Sequence, residues 1–215
     1  LPGFGESSRD AAARYAVADQ VERVRAFTRA LQLESFHLGG NSMGGHIAGA
    51  YAGRYPADVK SLWLLAPAGV TWAKKSELAE RIEKGDNPLL VDQVEDFDGL
   101  MDFVFVDPPY IPGPIKRHLA NLAVEHRDFN AKIFQDLIKN PLALEPLLKG
   151  SPVPSLIAWG DKDRLLHVSG AAVLKSIMPK AKAIVMKNMG HLPMMERPQE
   201  TAADFLAFHG KNPDQ

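Results

Sequence analysis

The chain contains no cysteine. Disulfides, thiolate metal sites and a cysteine nucleophile are therefore excluded. No apolar run reaches the roughly 18 residues that a membrane-spanning helix needs. Formal charge is nearly balanced, at -1 with neutral histidines, so no broad electrostatic attraction to nucleic acid or to an anionic membrane follows. The start has neither an initiator methionine nor a signal-peptide pattern. Leu1-Pro2-Gly3-Phe4-Gly5 reads instead as the loop after a strand that the sequence does not contain, so the expectation is a fragment or a truncated chain. What is present is ordinary: 215 residues, 46% hydrophobic and 24% charged. That suffices for one domain with a full core and an insertion.

Periodicity organises the first part. Val17, Val21, Val24, Phe27 and Leu31 recur at helical steps and predict a helix over 15–33. A short buried strand over 36–39 follows, then a helix over 43–55 lined with glycine and alanine and ended by Pro56. A second strand covers 59–65. From 70 to 150 strand signals vanish, and helical patterns appear over 74–84, 91–104, 114–126 and 129–138. This stretch is either a structural helical subdomain or a cap over a site. In the second case Phe103, Phe105, Tyr110, Ile111 and Leu119 are the expected lining of an acyl pocket. Strand–helix alternation then returns, with strands over 154–159 and 181–186 and helices over 167–178 and 198–208. Alternation of this kind implies a parallel sheet covered by helices. The expected division is a core part over 1–70, a helical cap over 71–150 and a second core part over 151–215.

The chemistry centres on Gly40-Asn41-Ser42-Met43-Gly44, a G-x-S-x-G pattern between a strand and a helix. A serine there sits on a sharp, strained turn with its hydroxyl held out. It needs a base within reach and a group to orient that base. In open parallel sheets the reactive loops lie beyond the carboxyl ends of the strands. After 154–159 comes Gly160-Asp161-Lys162-Asp163, and after 181–186 comes Gly190-His191. Ser42 is thus the candidate nucleophile and His191 the candidate base. Asp163 or Asp161 is the orienting acid. Asp163, at the far end of the turn, is favoured, and Asp161 suits a turn cap. Of the seven histidines, His37, His46, His118, His126 and His209 fall inside strands or helices and read as structural, and His167 is second to His191. One oxyanion donor would be the backbone N–H of Met43, and the second normally comes from a loop after an earlier strand, which here lies before residue 1.

With these residues in place the chain resembles the α/β-hydrolases, and within them the abhydrolase-type monoacylglycerol lipases and related bacterial lipases and esterases. The resemblance rests on 20–24, 37–45, Tyr55-Pro56, Pro67-Ala68-Gly69, 159–163, 168–171 and 190–198. It implies a triad of Ser42, Asp163 and His191, cofactor-free hydrolysis of monoacylglycerols or other medium-chain esters, and neither metal nor nucleic acid as partner. In that family the 36–39 strand is central. With its neighbours absent, its edge is expected to recruit another strand, either in a longer protein or by self-association. Two other readings compete. The 40–45 stretch also resembles carbon–carbon bond hydrolases of ring-fission products, although Leu192 stands where those usually carry tryptophan. A non-catalytic binding protein on the same fold is the third reading.

Overall fold

The structure, a computed structural model, describes residues 1–210. Four apolar runs form one parallel sheet: β1 (Phe36–Ser42), β2 (Val59–Pro67), β3 (Ser155–Gly160) and β4 (Ala181–Met186), side by side in that order. β3 is buried at every position, as expected of a parallel strand with helices on both faces. β1 and β2 run longer than the sequence predicts, because the ladder continues through the turn to pair Ser42 with Pro67. Among the described residues β1 is paired only to β2, so its outer edge is the open one.

One face of the sheet is covered by α1 (Val17–Ala30), α2 (Met43–Arg54), α7 (Leu144–Leu148) and α8 (Ser169–Ile177), whose apolar side chains share one cluster with Leu62, Leu64 and Ile157. α2 is rich in glycine and alanine for a steric reason. A Cβ at Gly49 would lie 3.0 Å from Leu144 Cδ2, and one at Gly53 would lie 2.8 Å from the Leu147 carbonyl. Small residues let α7 press against α2. The opposite face carries α10 (Pro198–Gly210), where Phe205 stacks on Trp63 with ring centroids 4.3 Å apart. His37 and His209 both bond Ser61 Oγ, at 2.8 and 3.3 Å, and so fasten α10 to the sheet. Their structural assignment from sequence agrees with this.

Between β2 and α7 lie α3 (Glu77–Glu83), α4 (Asp96–Val104), α5 (Gly113–Glu125) and α6 (Arg127–Lys139). Each falls within or beside a stretch where helical spacing predicts one. The one-turn helices α7 and α9 (Pro193–Glu196) carry too few residues to show a period, and the sequence does not reveal them. The ends of the insertion are clamped together. Leu144 N–H donates to Gly69 O at 2.9 Å. The buried Glu145 carboxylate accepts from Trp72 N–H at 2.7 Å and from the Thr71 hydroxyl at 3.2 Å. Those bonds offset the cost of taking a carboxylate out of water.

Candidate active site

Ser42 ends β1 and precedes α2, with φ 54° and ψ −121°. A non-glycine residue pays about 1–3 kcal/mol to be held in such a region. The surroundings enforce it. A Cβ at Gly40 would lie 2.2 Å from Gly44 O, and one at Gly45 would lie 2.9 Å from both Gly40 O and Pro67 Cβ. The strand and the helix therefore meet backbone to backbone, and the serine is what projects from the bend. Met43 opens α2. Its N–H belongs to the first turn, whose donors have no acceptor within the helix.

The candidate acid and base come from the ends of β3 and β4. Asp163 is fully buried, and its Oδ1 accepts from Leu165 N–H at 2.8 Å and Leu166 N–H at 3.0 Å. Its Oδ2 lies 2.8 Å from His191 Nδ1. A carboxylate oxygen only accepts, so Nδ1 carries the proton and Nε2 is the free basic nitrogen. Asp161 takes the other role: its Oδ1 accepts from Met189 N–H, tying the β3 turn to the loop after β4. Gly160 allows that approach, since a Cβ there would lie 2.2 Å from Gly190 O. His191 is held at its backbone too, donating from N–H to Val104 O at 2.9 Å and accepting at O from Asn41 Nδ2 at 3.1 Å. His191 Nε2 is buried and has no hydrogen-bond partner among the described residues. The structure thus joins Asp163 to His191 and leaves the bond between Ser42 and His191 unmade. Such contacts are commonly long before substrate binds. His167, the second candidate base, bonds Ser169 Oγ instead.

Ser42 and Met43 stand on the rim of a cavity of about 350 Å³. Its other walls are mostly apolar side chains of the insertion and its ends, among them Leu78, Ile82, Leu89, Phe134, Leu137 and Leu142, with Leu165 and Leu166 from the loop after β3, and they include the polar His46, Thr71 and Ser76. None of the five residues expected to line an acyl pocket is among its walls. Phe103 and Phe105 pack behind two of its wall residues, Leu78 and Leu165, Tyr110 is 90% exposed and Leu119 38% exposed, and Ile111 is not among the lining residues. Periodicity identifies apolar residues, but the short helices of the insertion must spend some of them on their own packing.

His46 is a part of this site that sequence reasoning set aside as structural. It is buried on the cavity wall, and its Nε2–H donates to Leu142 O at 2.5 Å. Gly69 makes room for the ring: its φ is +81°, and a Cβ there would lie 2.3 Å from His46 Nε2. Burial pushes the His46 pKa below its usual 6.5, and the Leu142 carbonyl and Glu145 oppose the shift without reversing it. The folded ring therefore refuses a proton that the unfolded chain accepts. Stability from this group is present above the unfolded value and is lost as pH falls through the folded one. Urea midpoints measured at about pH 7.5 and about pH 5 are expected to drop more for the wild type than for His46→Gln. Equal drops would remove His46 as the cause.

Three comparisons bear on this arrangement. The family described as alpha/beta hydrolase fold matches residues 1–99. Lipase 1 of Psychrobacter immobilis is 39% identical over 97% of this chain and 66% of its own length. Monoacylglycerol lipase ABHD6 of Mus musculus is 32% identical over 96% of this chain and 66% of its own. The chain therefore spans just under two thirds of these curated relatives. A solved structure of a membrane phospholipase A, described as a bacterial virulence factor, superposes with a TM-score of 0.97 at 48% identity, over all of this chain and 69% of that one. The elbow, the parallel sheet and these relatives lead to one conclusion: the chain belongs to the α/β-hydrolase family.

Proposed function

We propose that the chain is the catalytic core of a serine carboxylic-ester hydrolase of lipase type, with a cap formed by residues 71–150. The observation that carries this reading is the strained Ser42 elbow on the rim of an apolar cavity. Ser42 Oγ attacks the ester carbonyl carbon while its proton passes to His191 Nε2. Asp163 keeps the other ring nitrogen protonated and offsets the charge of the imidazolium. Met43 N–H donates to the developing oxyanion, one of the two donors such a site uses. When the tetrahedral species collapses, the carbonyl re-forms, the alcohol leaves with the proton from His191, and the acyl group stays on Ser42. Water deprotonated by His191 then attacks the acyl carbon, releasing the acid and restoring the serine.

The cavity sets the acyl preference. Its largely apolar walls support medium-chain esters and monoacylglycerols as substrates. Among the described residues its walls include no lysine or arginine. The carboxylate of a ring-fission product would be buried there unpaired, at considerable cost. The p-nitrophenyl ester series tests both points. Each added methylene is worth about 0.8 kcal/mol, so kcat/KM is expected to climb about threefold to fourfold per carbon and level off at medium chain lengths. Leu137→Trp, which fills one wall, is expected to shift the plateau to shorter chains. A flat profile, or faster turnover of a ring-fission substrate, would count against this reading.

A further inference from the structure

One of the side chains that hold the His191 loop from outside the triad also holds the insertion. Glu196, at the end of α9, receives three backbone N–H groups on its carboxylate. Gly190 donates to Oε1 at 2.7 Å. Val106 and Asp107 donate to Oε2 at 2.5 and 2.9 Å. The first donor adjoins His191, and the other two lie where the chain leaves α4 for the exposed proline-rich segment of the insertion. The two loops also touch directly: His191 N–H donates to Val104 O, and a Cβ at Gly190 would lie 2.6 Å from that same oxygen. One carboxylate thus ties the base to the insertion.

We propose that Glu196 is a positioning residue that fixes His191 relative to the cap, so that the base is set for Ser42 only while the end of α4 is seated. The proposal rests on the reading of Ser42 and His191 as nucleophile and base. A carboxylate is needed because the donors approach two different oxygens and all of them give protons. An amide offers one acceptor and one donor group, so Glu196→Gln can satisfy the base side or the cap side, never both. The change is isosteric and the residue is half-exposed, which keeps the fold out of the comparison. A displacement of about 1 Å at a reacting group costs on the order of 10²-fold in rate.

The test uses the full chain and an alkyl fluorophosphonate, whose attack by serine requires the base. Glu196→Gln is expected to label at a rate about 10–100-fold below wild type. KM for a medium-chain ester should stay within about twofold, and the acid limb of the kcat/KM–pH profile should move. Glu196→Asp keeps both oxygens and is expected to recover part of the rate. Limited proteolysis of Glu196→Gln should cut residues 106–112 faster. Wild-type labelling rate and pH profile in Glu196→Gln would overturn the proposal and leave Glu196 a loop brace. A wild-type chain that does not label at all would overturn the serine hydrolase reading, and this inference with it.

Discussion

Asp163→Asn is expected to lower kcat for a medium-chain ester by about 10⁴-fold while leaving the fold intact. The reason lies in how the two carboxylate oxygens are used. Oδ1 takes Leu165 N–H and Leu166 N–H, and Oδ2 takes His191 Nδ1. Asparagine has one carbonyl oxygen. Two loop donors will claim it, which turns the amide N–H₂ toward His191. The ring must then accept at Nδ1, so its proton moves to Nε2. That is the nitrogen that has to take the serine proton, and it is now occupied. Size and burial barely change, so the denaturation midpoint should move little. Steady-state kinetics beside urea denaturation separates the two effects. An Asp163→Asn variant with more than a tenth of wild-type kcat would pass the orienting role elsewhere, and Asp161 would be the residue to examine.

Gly40→Ala is expected to fail for a different reason. Its Cβ would lie 2.2 Å from Gly44 O, 2.3 Å from Gly44 C and 2.6 Å from Gly45 N. All three are backbone atoms at the start of α2, so no side chain can swing aside. Relief requires moving the helix off β1, and the elbow geometry at Ser42 goes with it. The expected loss is more than about 4 kcal/mol, in the range reserved for disrupted cores and forced backbone strain. Gly99→Ala is the control. It lies within α4 with no atom inside 4 Å of the added carbon, and is expected to gain up to about 1 kcal/mol from helix propensity. Urea midpoints at constant m-value report both. A Gly40→Ala protein as stable as wild type would mean that the helix is free to retreat from the strand.

The difference between these glycines shows what can be read from sequence. Gly40, Ser42, Asp163 and His191 are legible because each stands where a parallel strand ends, and an apolar run makes that end visible. The same logic picks His191 over six other histidines: it alone lies in a loop after a strand with a glycine beside it, whereas His46, next to Gly45, lies within α2. The β-strands are legible as short apolar runs and the larger helices by period. Other features come from tertiary contact alone. Which apolar residues of the insertion face the cavity depends on how short helices pack, and Phe103 and Phe105 turn inward to their own cluster. Asn41 and His46 reach carbonyls 150 and 96 residues away, at His191 and Leu142. Glu196 sits in a stretch that carries the family resemblance, but two of its three donors, Val106 and Asp107, lie 90 and 89 residues away, and no local spacing announces them.

The account stands or falls on Ser42 as the nucleophile. The most direct measurement is mass spectrometry of peptides from the full chain after treatment with an alkyl fluorophosphonate. The prediction is one adduct per chain, on the peptide containing Ser42, blocked by prior incubation with a medium-chain ester and absent from Ser42→Ala. An adduct on another serine, or stoichiometric labelling that survives Ser42→Ala, would contradict it.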